Sequence, residues 1–193
     1  SIKVTATISG QNVEAIKNYN VVLRKPTEIA TLPTGMRQGA NYHPTDPTKV
    51  TLVLLAPSKD FVYAVGDFSQ WQIKEQNQMK RTPDGEYYWL ELTGLTPQKD
   101  YVYQYWIDGK LKIADPYATQ VADPWNDKWI ESSVFPNIPT YNREDLGIAA
   151  VFQTNQTPYT WADSENTWTK PDVNHLVIYE LHIRDFIASH SYQ

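Results

Sequence analysis

Apolar and polar positions alternate in short runs along much of the chain, and turn-forming clusters close most of those runs. Lys3–Ser9 predicts a short strand with Val4, Ala6 and Ile8 on one side, and Tyr19–Arg24 predicts another. From Pro26 to Pro47 the chain is rich in Pro, Thr and Gly and has no period, which predicts a linker or long loop. The apolar run Val50–Ala56 is a strand stopped by Pro57, and Phe61–Val65 is a strand ended by Gly66-Asp67. Thr82-Pro83-Asp84-Gly85 is a turn, because Pro presets φ and Gly accepts a positive one. It leads into the strand Tyr87–Leu92. After a loop at Gly94–Lys99 comes Tyr101–Ile107, which Asp108-Gly109 turns into Lys110–Ala114. Turn signals spaced about every 8–12 residues, with no helical periodicity between them, predict an all-β fold built as an antiparallel sandwich.

Two strands have readable faces. Tyr88, Leu90 and Leu92 oppose Tyr87, Trp89 and Glu91, while Tyr101, Tyr103, Tyr105 and Ile107 oppose Val102, Gln104, Trp106 and Asp108. An antiparallel sheet packs one face inward and can leave the other wet, so Trp89, Gln104 and Trp106 are expected on outer faces.

The character changes after Asp115. Residues 115–172 are rich in Pro, Asn, Asp and Trp and lack a long strand pattern, so a connection lying on a neighbouring structure is expected. Leu176–Ile183 is apolar and β-branched and predicts a buried strand, with an amphipathic helix through Leu176, Tyr179, Ile183 and Phe186 as the alternative.

Composition narrows the chemistry. With no cysteine, disulfides and thiolate metal sites are excluded but no compartment is fixed, and an extracytoplasmic one is slightly favoured. A net charge of −5 argues against a nucleic-acid surface, and no apolar run approaches the ~20 residues of a membrane span. His43, His175, His182 and His190 form no H-x-H or H-E-x-x-H pair, so neither a metal nor another cofactor is expected. No phosphate-binding glycine loop or G-x-S-x-G nucleophile motif occurs. Glu180 and Asp185 would point to opposite faces of a strand. Glu180, His182 and Arg184 would share one, which fits a buried structural network better than a catalytic site. Tryptophans are the strongest candidate chemistry. Sugar rings stack their apolar face on flat aromatics and take hydrogen bonds from amides at the rim, which Trp71, Trp89 and Trp106 with Gln104 could supply.

Three segments taken in order, Val62–Trp71 with its G-D-F-S-Q-W ending, Tyr103–Gly109 and Ala114–Ala118, resemble the family 48 carbohydrate-binding module. That module is an immunoglobulin-like early-set β-sandwich that precedes the catalytic barrel in pullulanases, isoamylases and branching enzymes. A fourth segment, Val177–Phe186, resembles the first strand of the (β/α)8 barrel in the α-amylase family, glycoside hydrolase family 13. The resemblance implies four parts. Residues 1–34 would end a preceding β domain or form an extension, 35–120 would be the sandwich, 121–174 a linker packing on the barrel, and 175–193 the first strand of a truncated barrel. It implies a parent enzyme that is a retaining glycoside hydrolase, with an Asp nucleophile and a Glu acid/base about 5–5.5 Å apart. Those residues belong to later barrel strands, so no residue of this chain is expected to be catalytic. The implied partners are an α-glucan and the catalytic barrel in cis.

Binding residues carry over only in part. Trp71 matches the tryptophan that stacks on sugar in glycogen-binding members, Gln104 stands where they have lysine, and Leu111 or Lys112 stands where they have a second tryptophan. The resemblance therefore implies an accessory α-glucan-binding module, with a sugar-free structural scaffold as the alternative.

Overall fold

The computed structural model of the protein describes residues 2–9, 11–17 and 24–181. Its strands in chain order are β1 (Ile2–Ile8), β2 (Gln11–Lys17), β3 (Gly39–Tyr42), β4 (Val50–Leu55), β5 (Val62–Gly66) and β6 (Lys80–Arg81). They continue with β7 (Tyr87–Leu92), β8 (Asp100–Ile107), β9 (Leu111–Ile113), β10 (Gln120–Ala122) and β11 (Ala149–Gln153). Among the described residues the α-helix amounts to one turn, Asp163–Asn166, and no helix is long and apolar enough to cross a membrane.

Two antiparallel sheets form the sandwich. The first has the order β3-β4-β7-β6, and the second runs β10-β11-β8-β5 with β9 also on β8. β8 is the longest strand, and this lets its beginning pair with β11 and its end with β9 on one side while β5 pairs along the other. The period-two faces of β7 and β8 turn inward as expected. Tyr88, Leu90 and Leu92 meet Tyr101, Tyr103, Tyr105 and Ile107 across the core, joined by Leu52, Val62, Met79 and Phe152. The Phe152 ring stacks on Tyr101 at 5.4 Å and meets Tyr103 edge-on at 5.4 Å.

At the centre of this aromatic core lies a buried carboxylate. Tyr103 and Tyr105 donate their hydroxyls to Asp115 Oδ2 at 2.7 and 2.8 Å, and the Tyr117 amide donates to Oδ1 at 2.8 Å. A buried carboxylate is tolerable only when it is hydrogen-bonded, and three donors serve this one across its two oxygens.

The sandwich departs from the expected boundaries at both ends. Residues 121–174 were expected to be linker, yet β11 lies between β10 and β8 as an interior strand of the second sheet. Upstream, Ile29 bridges to Arg81, and the Ala30 amide donates to the Arg81 carbonyl, so residues 28–30 edge the first sheet. Residues 19–23 of the expected strand Tyr19–Arg24 lie outside the described residues. β2 was not expected; it pairs with β1 from Ile2↔Lys17 to Ile8↔Gln11.

The C-terminal expectation changes as well. The described part of the expected strand, residues 176–181, carries no strand, and Val177, Ile178 and Tyr179 are exposed. A strand there needs a neighbouring strand to pair with, and no described strand of this chain pairs with it. His182, Ile183, Arg184, Asp185 and Phe186 lie outside the described residues.

Candidate functional site

The four candidate sugar-binding residues do not converge. Trp89 sits on the outer face of β7 in the first sheet, while Gln104 and Trp106 sit on the outer face of β8 in the second. The core lies between these faces, so Trp89 cannot share a site with the other two. The outer faces are also drier than expected. Trp89 is covered by the incoming chain, to which it donates from Nε1 to the Ala30 carbonyl at 3.1 Å, and Lys80 Nζ lies 5.1 Å from its ring centre. Trp106 is half-buried, with Lys112 Nζ 4.6 Å above its ring.

Trp71 is built into a tight turn after β5. Gly66 starts that turn in extended conformation, and a Cβ added there would lie 2.3 Å from the Val102 carbonyl oxygen, so the β5–β8 approach requires glycine. Gln70 and Trp71 both adopt left-handed backbone, with φ of 57° and 58°, which a bulky residue seldom does. Bonds on both sides hold this strained pair. The Trp71 amide donates to the Gly66 carbonyl at 2.9 Å, and its Nε1 donates to Asp67 Oδ1 at 2.9 Å. The other oxygen, Asp67 Oδ2, accepts from the Val102 amide at 2.9 Å, which ties the indole to the second sheet.

The ring that Trp71 meets belongs to its own chain. Tyr141 packs on it at 5.3 Å between ring centres with a 32° tilt, and the Arg143 guanidinium lies 5.5 Å from the indole centre. Together with Val102, Ala122, Ala149 and Val151 these rings form a second, smaller apolar cluster outside the second sheet. Burial pushes the Tyr141 phenol up to about 12, and its hydroxyl donates to the Gly147 carbonyl at 2.9 Å. Gln104, expected at the surface, is buried beneath the same loop. Its Nε2 donates to the carbonyls of Leu146 at 2.8 Å and Ile148 at 2.7 Å, so both amide protons hold the loop down. Among the described residues Gln104 Oε1 has no partner.

The sequence pattern brought Trp71 and Gln104 forward but not Tyr141, Arg143 or the carbonyls at 146 and 148. Tyr141 lies in a Pro- and Asn-rich stretch without period, where a lone aromatic carries no sign of its contact. Among the described residues no group of three or more His, Cys, Asp or Glu is placed to hold a metal ion.

Over 142 residues, 69% of its length, the chain is 28% identical to the 1,4-alpha-glucan branching enzyme GlgB 1 of Clostridium perfringens (strain 13 / Type A). This similarity agrees with the resemblance to α-amylase-family enzymes read from the sequence. The module spans 18% of that curated relative. No protein-family model matches it. Solved structures similar to the module include the Group B Streptococcus pullulanase SAP in complex with maltotetraose, with a TM-score of 0.37 and 23% identity over 50% of the module and 13% of that chain. The catalytic module of the pneumococcal glycogen-degrading virulence factor SpuA, in complex with an inhibitor, has a TM-score of 0.38 and 25% identity over 60% of the module and 16% of that chain.

Proposed function

We propose that the module is a non-catalytic scaffold of an α-glucan-acting enzyme, docking on and stabilising the catalytic barrel, and that Trp71 serves packing instead of sugar. One observation carries this reading. The indole expected to stack on a sugar is already packed against the Tyr141 ring, and the amide of Gln104 is spent on two loop carbonyls. A glucan would have to displace an intramolecular partner that carries no translational or rotational cost of association. The scaffold reading also fits the exposed apolar side chains of Tyr159, Trp161, Trp168, Val173, Val177 and Ile178, which follow the sandwich in the chain. An apolar run of this kind in water is what an adjoining domain would cover.

Affinity electrophoresis tests this. The wild type and Trp71→Ala should migrate alike in glycogen-containing gels, whatever retardation the wild type shows. Trp71→Ala should at the same time lose about 2 kcal/mol of stability, less than full burial of a tryptophan would imply. Retardation of the wild type that disappears in Trp71→Ala would overturn the scaffold reading and make Trp71 a sugar platform.

A further inference from the structure

We propose that a groove remote from Trp71, between the β3–β4 loop and the end of β11, binds a neutral pyranose ring of an α-glucan. The choice of glucan rests on the α-glucan class of the parent enzyme proposed above, while the location rests on the groove itself. Its volume is about 430 Å³, within the ~300–1,000 Å³ of small-molecule sites. Tyr42, at the end of β3 and 48% exposed as a residue, supplies the aromatic side chain of the lining. His43 and Thr45 line one side, and Gln153, Asn155 and Gln156 the other. No Asp, Glu, Lys or Arg lines the groove, which disfavours phosphates, nucleotides and metal ions. An aromatic face among side-chain amides, a hydroxyl and an imidazole instead suits a ligand that is apolar on one face and rimmed with neutral hydroxyls.

The walls come from both sheets and are set before any ligand arrives. Tyr42 pairs with Val50 in the first sheet, and Gln153 pairs with Asp100 in the second. The Gln153 amide also donates to Asp100 Oδ1 at 2.7 Å. Pro44 and Pro47 stiffen the intervening loop, where Asp46 Oδ1 accepts from the Thr48 amide at 3.0 Å and its hydroxyl at 2.6 Å. A site already in place loses little in ordering, so even one stacked ring can yield measurable binding.

An amide-resolved NMR titration of the 193-residue chain with maltotetraose tests the proposal. Shift changes should centre on Tyr42, His43, Gln153, Asn155 and Gln156, and cellotetraose should produce much weaker ones. Tyr42→Ala should weaken binding roughly tenfold, the effect of one lost stack, while Trp71→Ala leaves it unchanged. If Tyr42→Ala fails to fold, the wild-type shift map decides alone. Changes centred on Trp71 or Trp106, equal responses to both sugars, or no change at the highest soluble sugar concentration would each overturn the site. Failure here leaves the scaffold reading standing, because that reading turns on Trp71.

Discussion

A chain ending after Leu146 is expected not to fold, whereas one ending after Pro158 should melt at the same temperature as the full 193 residues. The first cut removes β11, and with it the interior partner of both β8 and β10. Ala150 and Phe152 leave the core, Ala149 and Val151 leave the outer cluster, and the backbone of β8 from Asp100 to Tyr103 loses its ladder. Losing a buried phenylalanine alone costs about 3–5 kcal/mol, and whole domains are stable by only about 5–15. The second cut removes residues that are exposed throughout their described length, including the local Tyr159–Trp161 edge contact. Circular dichroism melts of the two truncations distinguish the outcomes. A cooperative transition in the shorter chain would mean that β11 is an accessory to the sandwich and not part of it.

Asp115→Ala should cost about 2–6 kcal/mol, because it strands the Tyr103 and Tyr105 hydroxyls in the core and each orphan costs about 1–3. Asp115→Asn keeps an acceptor and should cost less. Urea midpoints of the three proteins measure this, and a loss below about 1 kcal/mol in Asp115→Ala would mean that the hydroxyls find other partners. The same network sets the alkaline limit. Burial, reinforced by the Asp115 charge, raises the Tyr103 phenol far above its ordinary value, and burial raises Tyr105 likewise. Above about pH 10 tyrosines ionise in the unfolded chain while these two stay neutral in the fold. Their contribution is therefore fully present below that pH and is lost as pH rises beyond it.

Apolar runs closed by turn signals made β4 and β5 legible, period-two alternation made β7 and β8 legible because they bury one face against the core, and the Asp108-Gly109 turn announced β9. β11 was hidden for a physical reason. Ala149 to Phe152 are buried on both faces, since the core takes one and the Tyr141 loop the other, so no alternation remains, and with two alanines the run lacks the β-branched apolar character that marked β4. β2 was missed because Glu14, Ala15 and Lys17 have little intrinsic preference for a strand, and the pairing with β1 decides their conformation. The same limit applies at the site. Alternation placed Trp89, Gln104 and Trp106 on outer faces, and the structure puts them there. Whether an outer face is wet depends on loops from elsewhere in the chain, residues 28–30 over Trp89 and 141–148 over Gln104. Trp71 was legible as a residue, but its contact with Tyr141 spans seventy positions without a pattern.

The central claim is that the Trp71 face is filled by the chain itself and stays filled when glucan is present. Proton NOE spectra of the 193-residue chain, recorded with and without excess maltotetraose, test it most directly. The account predicts cross-peaks between the Trp71 indole and the Tyr141 ring that persist unchanged on adding the sugar. Loss of those cross-peaks, with new ones between sugar protons and the Trp71 indole, would contradict it.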